Sequence, residues 1–233
     1  NRIKIIVTHE HVSWNCYLYN KFFNSKFLFI IREPKKTVAG GLRFNKRHKD
    51  IPINYQIDGD LLWMLSANQF IKKLKKKNYF VIKNEDMHEN LKREMIKLSK
   101  WLNIKYETSL LSETFLGKKW MGESAYLSKV DLKIPYPKDY YKPQNIEMRW
   151  RKVLNAKSIL VVETVFEKIM IKYKYKFDNK LNLKKRFNGY INLLFGFNEA
   201  SSFFYRTKGL IKNIIRRMLI IFFTKHSAKI IDL

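Results

Sequence analysis

The chain has 233 residues, 46% of them hydrophobic and 15% aromatic, with a formal net charge of +27. That much apolar and aromatic content excludes a charged, disordered polypeptide and suffices for one α/β domain with a core and an appendage. Cys16 is the only cysteine, which excludes an intramolecular disulfide and a cysteine-based metal site and favours a reducing, cytoplasmic setting.

The excess of positive charge has two readings. One is an anionic partner: nucleotide phosphates, nucleic acid, acidic lipid or a polyanionic substrate. The other is a set of lysines loaded onto solvated helix faces. No run approaches the roughly 20 apolar residues that span a bilayer. The sequence opens on Asn1 and runs at once into an apolar segment, so it reads as a fragment or processed chain lacking upstream sequence.

In chain order, residues 3–7 read as a buried strand that ends in a turn at Thr8, His9, Glu10 and His11. Residues 14–23 are aromatic and read as a helix. Phe27–Ile31 is a second strand, and its continuous apolar character predicts a parallel sheet covered on both faces. Arg32, Glu33 and Pro34 follow, with a basic helix start directly after them. Residues 60–77 read as a helix that ends in a lysine run, which the macrodipole favours. Tyr79–Lys83 is a third strand, with Asn84, Glu85 and Asp86 read as a turn.

Leu91, Met95, Leu98 and Leu102 then recur on one face of a helix. Residues 108–133 are less regular, and Gly117 and Gly122 predict an ordered loop. Pro135, Pro137 and Pro143 mark a non-helical linker, after which residues 146–172 return to one helix. Residues 179–233 form a basic helical extension: from Lys180 onward there are eleven Lys or Arg against Glu199 and Asp232. Within it Leu210, Ile214, Ile215, Met218, Leu219 and Phe222 make a helical stripe, with Lys212, Arg216 and Arg217 predicted on the opposite face. This pattern suits peripheral contact of residues 207–223 with an anionic membrane, or docking on the main domain.

Two positions stand out chemically. Arg32 follows a strand and precedes a helix, where a guanidinium offers a rigid fork of donors to phosphate oxygens. His9 ends the preceding strand, and both would lie at the carboxyl ends of parallel strands, where open α/β sheets bind ligands. A histidine there can take a proton from a hydroxyl near neutral pH, with His11 as competitor.

Five segments, taken together and in this order, resemble the sulfotransferases that use the nucleotide sulfate donor PAPS (3′-phosphoadenosine 5′-phosphosulfate). IIREPKKTVAGGLRF resembles the family's 3′-phosphate-binding segment, and IIVTHEHV its strand ending in Thr-His. VIKNEDMHENLKREMIKLSKWLNI is similar to its Glu-Asp-Leu turn and long helix with a Trp-Leu-Asn/Gly-Ile ending. LGKKWMGES resembles a Gly-x-x-Trp-x-Gly-x-Ser loop of bacterial and carbohydrate-directed members. MRWRKVLNAKSILVVETVFEKIMIKYKYKF resembles their closing helix, with a tryptophan, a basic residue and a leucine followed by a glutamate.

The resemblance covers residues 3–177. It implies a central parallel sheet flanked by helices, a P-loop NTPase-like sulfotransferase fold incomplete at the N-terminus, spanning residues 1–178. It also implies sulfuryl transfer from PAPS, without a metal, to a hydroxyl or amine of a carbohydrate or lipid-linked acceptor. In that scheme Arg32 holds the 3′-phosphate, His9 is the general base, and Lys118 or Lys119 closes over the nucleotide.

Gly40 stands where the family has a serine ligand. The Gly40 and Gly41 backbone, Lys36, Arg43, or the loop with Lys118 and Lys119 would take its place. The glycine-rich loop for the 5′-phosphosulfate is absent and would belong upstream of Asn1. Two rivals remain at this point: a P-loop kinase-like phosphotransferase, and a non-catalytic basic module for polyanions. Nucleic acid is not expected, because the aromatics follow core spacing without forming a stacking platform.

Overall fold

The computed structural model describes residues 7, 15–47, 64–112, 114–115, 118–119, 143–195, 214–215, 217–219 and 221–222, with side chains at all of these except 15, 17, 43–47, 114–115, 118–119 and 143–146. Of the expected strand at residues 3–7 only Val7 is described, exposed and in no strand, while the turn with His9 and the loop around Gly122 lie outside the described residues. What is described is mainly helical with one two-stranded parallel sheet, a mixture compatible with the α/β class. Among the described residues no helix is long and apolar enough to cross a membrane.

Contacts divide the chain into two compact units. One comprises Asn1–Phe27, Glu33–Tyr79 and Val153–Leu233; the other comprises Leu28–Arg32 and Phe80–Lys152.

The second unit holds the parallel sheet. Strand β1 (Phe27–Ile31, FLFII) pairs with β2 (Tyr79–Lys83, YFVIK), two runs rich in the aromatic and β-branched residues that suit a pleated surface. Period-two alternation puts Leu28 and Ile30 on one face, and both are exposed. The expected cover on both faces is thus missing from β1 among the described residues. Helix α4 (Asn84–Leu102) starts directly after β2. The predicted turn at residues 84–86 is instead its first turn, where Glu85 and Asp86 suit the positive end of the dipole.

The backbone leaves the helical region at Asn90, whose Oδ1 accepts the Arg93 N–H at 3.0 Å. Asn90 thereby caps the part carrying the apolar positions 91, 95, 98 and 102. Phe80 of β2 stacks on Trp101 of α4, with ring centroids 5.5 Å apart. At the helix end Asn103 adopts the left-handed conformation (φ 60°, ψ 46°). Its N–H reaches the Lys100 carbonyl and the Ile104 N–H reaches the Ser99 carbonyl, a Schellman closure. A 3-10 turn (Thr108–Leu111), a short hairpin, β3 (Thr114–Phe115) with β4 (Lys118–Lys119), and helix α5 (Pro143–Arg151) complete this unit's described elements. Pro143 is the first residue of α5, not part of a linker; there its missing N–H is no loss.

The first unit is helical. It contains α1 (Asn15–Phe22), α2 (Pro34–Arg47), α3 (residues 64–73), α6 (Ala156–Val165), α7 (Glu167–Lys172) and α8 (Leu183–Phe195). Residues 214, 215, 217–219, 221 and 222 are helical as well and are called α9. Its core is built from Val38, Ala39, Phe70, Val161, Val162, Phe166 and Met170, all nearly or fully buried. Phe27 and Phe70 meet edge to face, 5.3 Å between centroids.

The single helix expected over residues 146–172 is three helices. Asn155 breaks it, its Oδ1 accepting the Ser158 N–H (2.9 Å) and hydroxyl (3.0 Å) as the cap of α6. Phe166 then separates α6 from α7. Helices α2 and α8 both pack on α6. The α6–α8 contact closes at Gly189, where a Cβ would stand 2.7 Å from Thr164 Cβ, so only glycine permits the approach. Arg186 of α8 adds a forked pair to Glu167 of α7 (2.7 and 2.9 Å).

Candidate functional site

The segment Arg32-Glu33-Pro34-Lys35-Lys36 concentrates three cations in five residues, and its surroundings sort them. Arg32, directly after β1, is exposed and makes no ion pair among the described residues. Lys36 Nζ lies 2.9 Å from Glu33 Oε2 on the first turn of α2. Lys35 is 1% exposed, and its ammonium meets Glu163 Oε1 at 3.2 Å, the Lys176 carbonyl at 2.9 Å, Asp178 Oδ2, and Glu33 at 3.4 Å. The start of α2 is also closed by the Glu33 carbonyl, which accepts the Thr37 N–H at 3.0 Å and the Thr37 hydroxyl at 3.2 Å.

Glu163 is the hub of this cluster. It is 0% exposed and accepts the Asp178 N–H (2.6 Å), the Asn179 N–H (3.1 Å) and the Asn179 side-chain amide (2.8 Å) besides the Lys35 ammonium. Lys185 joins at the edge by donating to Asn179 Oδ1 at 3.3 Å. An ionised carboxylate this deep is tolerable only with its lone pairs filled, and here four donors fill them. Burial on its own would lower the Lys35 pKa; the hydrogen bond to Asp178 and the charges of Glu33 and Glu163 outweigh it, and the net direction is up. Lys35 is therefore a permanent cation held inside the protein, occupied by carboxylates and out of reach of a ligand.

The other predicted site residues scatter. Gly40 is the seventh residue of α2 and half-buried. A helix leaves only its first four N–H groups without an intrahelical acceptor, so the Gly40 N–H lies past that end. Lys36, one of the suggested substitutes for the family's serine, is engaged with Glu33. Lys118 and Lys119 form β4, paired with Phe115 and Thr114 across the hairpin. His9 lies outside the described residues, as do His11 and Trp120.

Sequence reasoning missed Glu163 and Asp178. A signal was present for the first: Glu163 is the one charged residue in the apolar run ILVVETVF, where a lone acid marks a buried charge needing a cation.

Elsewhere, a cavity of about 70 Å³ opens between α3, α6, α7 and α8, lined in part by Gln69, Lys72, Glu167, Lys168 and Tyr190. Nucleotide-sized ligands need pockets of roughly 300–1,000 Å³, so this one is too small for a donor. No group of three or more metal-ligating side chains occurs among the described residues. No protein-family model, curated protein or solved structure matches the chain.

Proposed function

We propose that the chain carries the 3′-phosphate side of a PAPS-dependent sulfotransferase, moving a sulfuryl group to a hydroxyl or amine of a carbohydrate or lipid-linked acceptor. The observation that supports this reading best is the buried Lys35–Glu163 pair, which joins positions 128 residues apart. Lys35 belongs to the Arg-x-Pro-Lys segment and Glu163 is the glutamate of the tryptophan-helix pattern. Two segments that resemble the family separately are thus held together in one core. The other fixed positions of that pattern, Trp150 and Leu154, are 3% and 4% exposed, as residues kept for packing would be. The reading brings with it a P-loop NTPase-like fold, of which β1 and β2 would be two strands.

In sulfuryl transfer the S–O bond to the donor phosphate breaks as the acceptor oxygen or nitrogen bonds to sulfur, and the acceptor proton leaves to a base. Negative charge spreads over the transferred oxygens, so fixed positive charge and positioning carry most of the catalysis, by analogy with phosphoryl transfer. Arg32 supplies the planar fork for the 3′-phosphate. Lys35 holds the first turn of α2 in place without touching the nucleotide. His9 takes the acceptor proton, and Lys118 or Lys119 covers the donor.

Calorimetry with 3′-phosphoadenosine 5′-phosphate tests the assignment. Arg32 is exposed, so Arg32→Ala should leave folding intact and weaken binding by about 10- to 100-fold, the loss of charge-assisted hydrogen bonds. Adenosine 5′-phosphate, lacking the 3′-phosphate, should bind both proteins equally. Unchanged binding of the bisphosphate would remove Arg32 from the site. His9→Ala should bind the bisphosphate normally and lose turnover; retained turnover would acquit His9 as the base.

A further inference from the structure

Two helices in the C-terminal part of the chain turn their apolar faces outward. In α8 the docked side carries Gly189 and Leu193, both buried, while Leu183, Phe187 and Ile191 follow each other at i, i+4 and i+8 and are exposed, Phe187 by 65%. In α9 the described side chains show an inversion. Arg217 is 0% exposed and its Nη1 donates to the Leu194 carbonyl in the last turn of α8 at 3.0 Å. Ile215, Met218 and Leu219, at i, i+3 and i+4, are exposed, Met218 by 57%.

A helix resting on a protein core in water puts its leucines inward and its arginine outward. In α9 the cation points in and aliphatic side chains point out, and α8, with Leu193 inside, carries a second outward stripe. Single exposed apolar residues are ordinary, but ordered stripes of them mark a surface that meets something.

The charge says what that is. From Lys180 onward there are eleven Lys or Arg against Glu199 and Asp232; Arg217 is buried and Arg186 paired with Glu167, and the other nine leave the region strongly positive in a chain of net charge +27. A surface that is anionic outside and apolar within complements both features, and a lipid bilayer rich in acidic headgroups has that build. A second copy of the chain would bring the same positive charge against itself, and that repulsion opposes association. We propose that α8 and α9 lay their apolar faces into an anionic bilayer surface and hold the protein there peripherally. This stands apart from the sulfotransferase reading and does not depend on it.

Co-sedimentation of the full chain with vesicles of phosphatidylcholine, and of phosphatidylcholine mixed with phosphatidylserine, tests it. The chain should pellet with the mixed vesicles and stay in solution with the neutral ones. Phe187→Ser combined with Met218→Ser removes two exposed side chains and should lower the partition coefficient by about tenfold or more, with an unchanged circular dichroism spectrum. Leu183→Ser with Leu219→Ser makes the same comparison should the first pair not fold. Equal pelleting of wild type and variants, or none with mixed vesicles, overturns the proposal. So does a wild-type dimer in gel filtration that the substitutions convert to monomer, since it gives these faces to a second copy.

Discussion

Arg32 and Lys35 lie in one short segment, yet burial gives them opposite work. Arg32, exposed, is available to an anion, whereas Lys35 is spent on Glu163, Asp178 and Glu33. Removing the buried cation alone would leave Glu163 and Asp178 without their counter-charge, while Glu33 keeps Lys36. Lys35→Met should therefore cost about 3–5 kcal/mol in denaturant unfolding, and combining it with Glu163→Gln should recover part of that loss. A variant within 1 kcal/mol of wild type would mean that the cluster adds little.

The pH dependence follows from the raised Lys35 pKa. A group whose folded pKa lies above its ordinary value of 10.5 contributes its full stability below that value and loses it as pH climbs through the higher folded value. The stability gap between wild type and Lys35→Met should thus be constant near neutrality and shrink in the alkaline range above 10.5. Salt should change the gap little, since the pair is buried and screening acts mainly on exposed charges.

At the scale of elements, the packing of α8 on α6 rests on a glycine. Alanine at Gly189 would raise helix propensity by ~1 kcal/mol, but its Cβ would stand 2.7 Å from Thr164 Cβ, and Thr164 is buried with its hydroxyl bonded to the Leu160 carbonyl. Overpacking wins, and Gly189→Ala should destabilise by about 1–3 kcal/mol, read as a lower melting temperature. An unchanged or higher melting temperature would show that α8 can move off α6 freely.

The same scale shows what local pattern can and cannot reveal. Both described strands of the parallel sheet were legible because they are short runs rich in aromatic and β-branched residues and bounded by polar ones. Helix breaks were not, because Asn90, Asn155 and Asn182 act as caps through side-chain bonds that look, in sequence, like any polar residue on a helix. Asn103 also gives a physical reason for the Trp-Leu-Asn/Gly-Ile ending: the residue after the helix must turn left-handed, which asparagine and glycine tolerate best. That ending therefore marks where a helix stops and says nothing of an activity. The place of Arg32 between strand and helix was legible because strand, arginine, proline and helix are contiguous, whereas Glu163 and Asp178, which hold Lys35, lie more than a hundred residues away.

At the scale of the whole molecule, neither compact unit is one continuous stretch: the first takes three segments of chain and the second takes two. Cutting after Lys152 would leave α2 with Lys35 but remove α6, and with it Glu163, Asp178 and the core residues Val161, Val162 and Phe166. A protein ending there should lose the cooperative thermal transition of the first unit. A transition like that of the full chain would show that α2 and α3 are stable without α6.

The distance in sequence between Lys35 and Asp178 also has a meaning in time. The two are 143 residues apart, so at 5–20 residues per second a ribosome delivers the carboxylate about 7–30 s after the lysine. Through that interval the start of α2 is a basic stretch with no acid from α6 or beyond to neutralise it, and an isolated short helix is marginal in water. The second unit has all its residues once Lys152 has been made. The first can close only after Asp178 has been made, so the segment that carries Arg32 and Lys35 is begun long before it is finished.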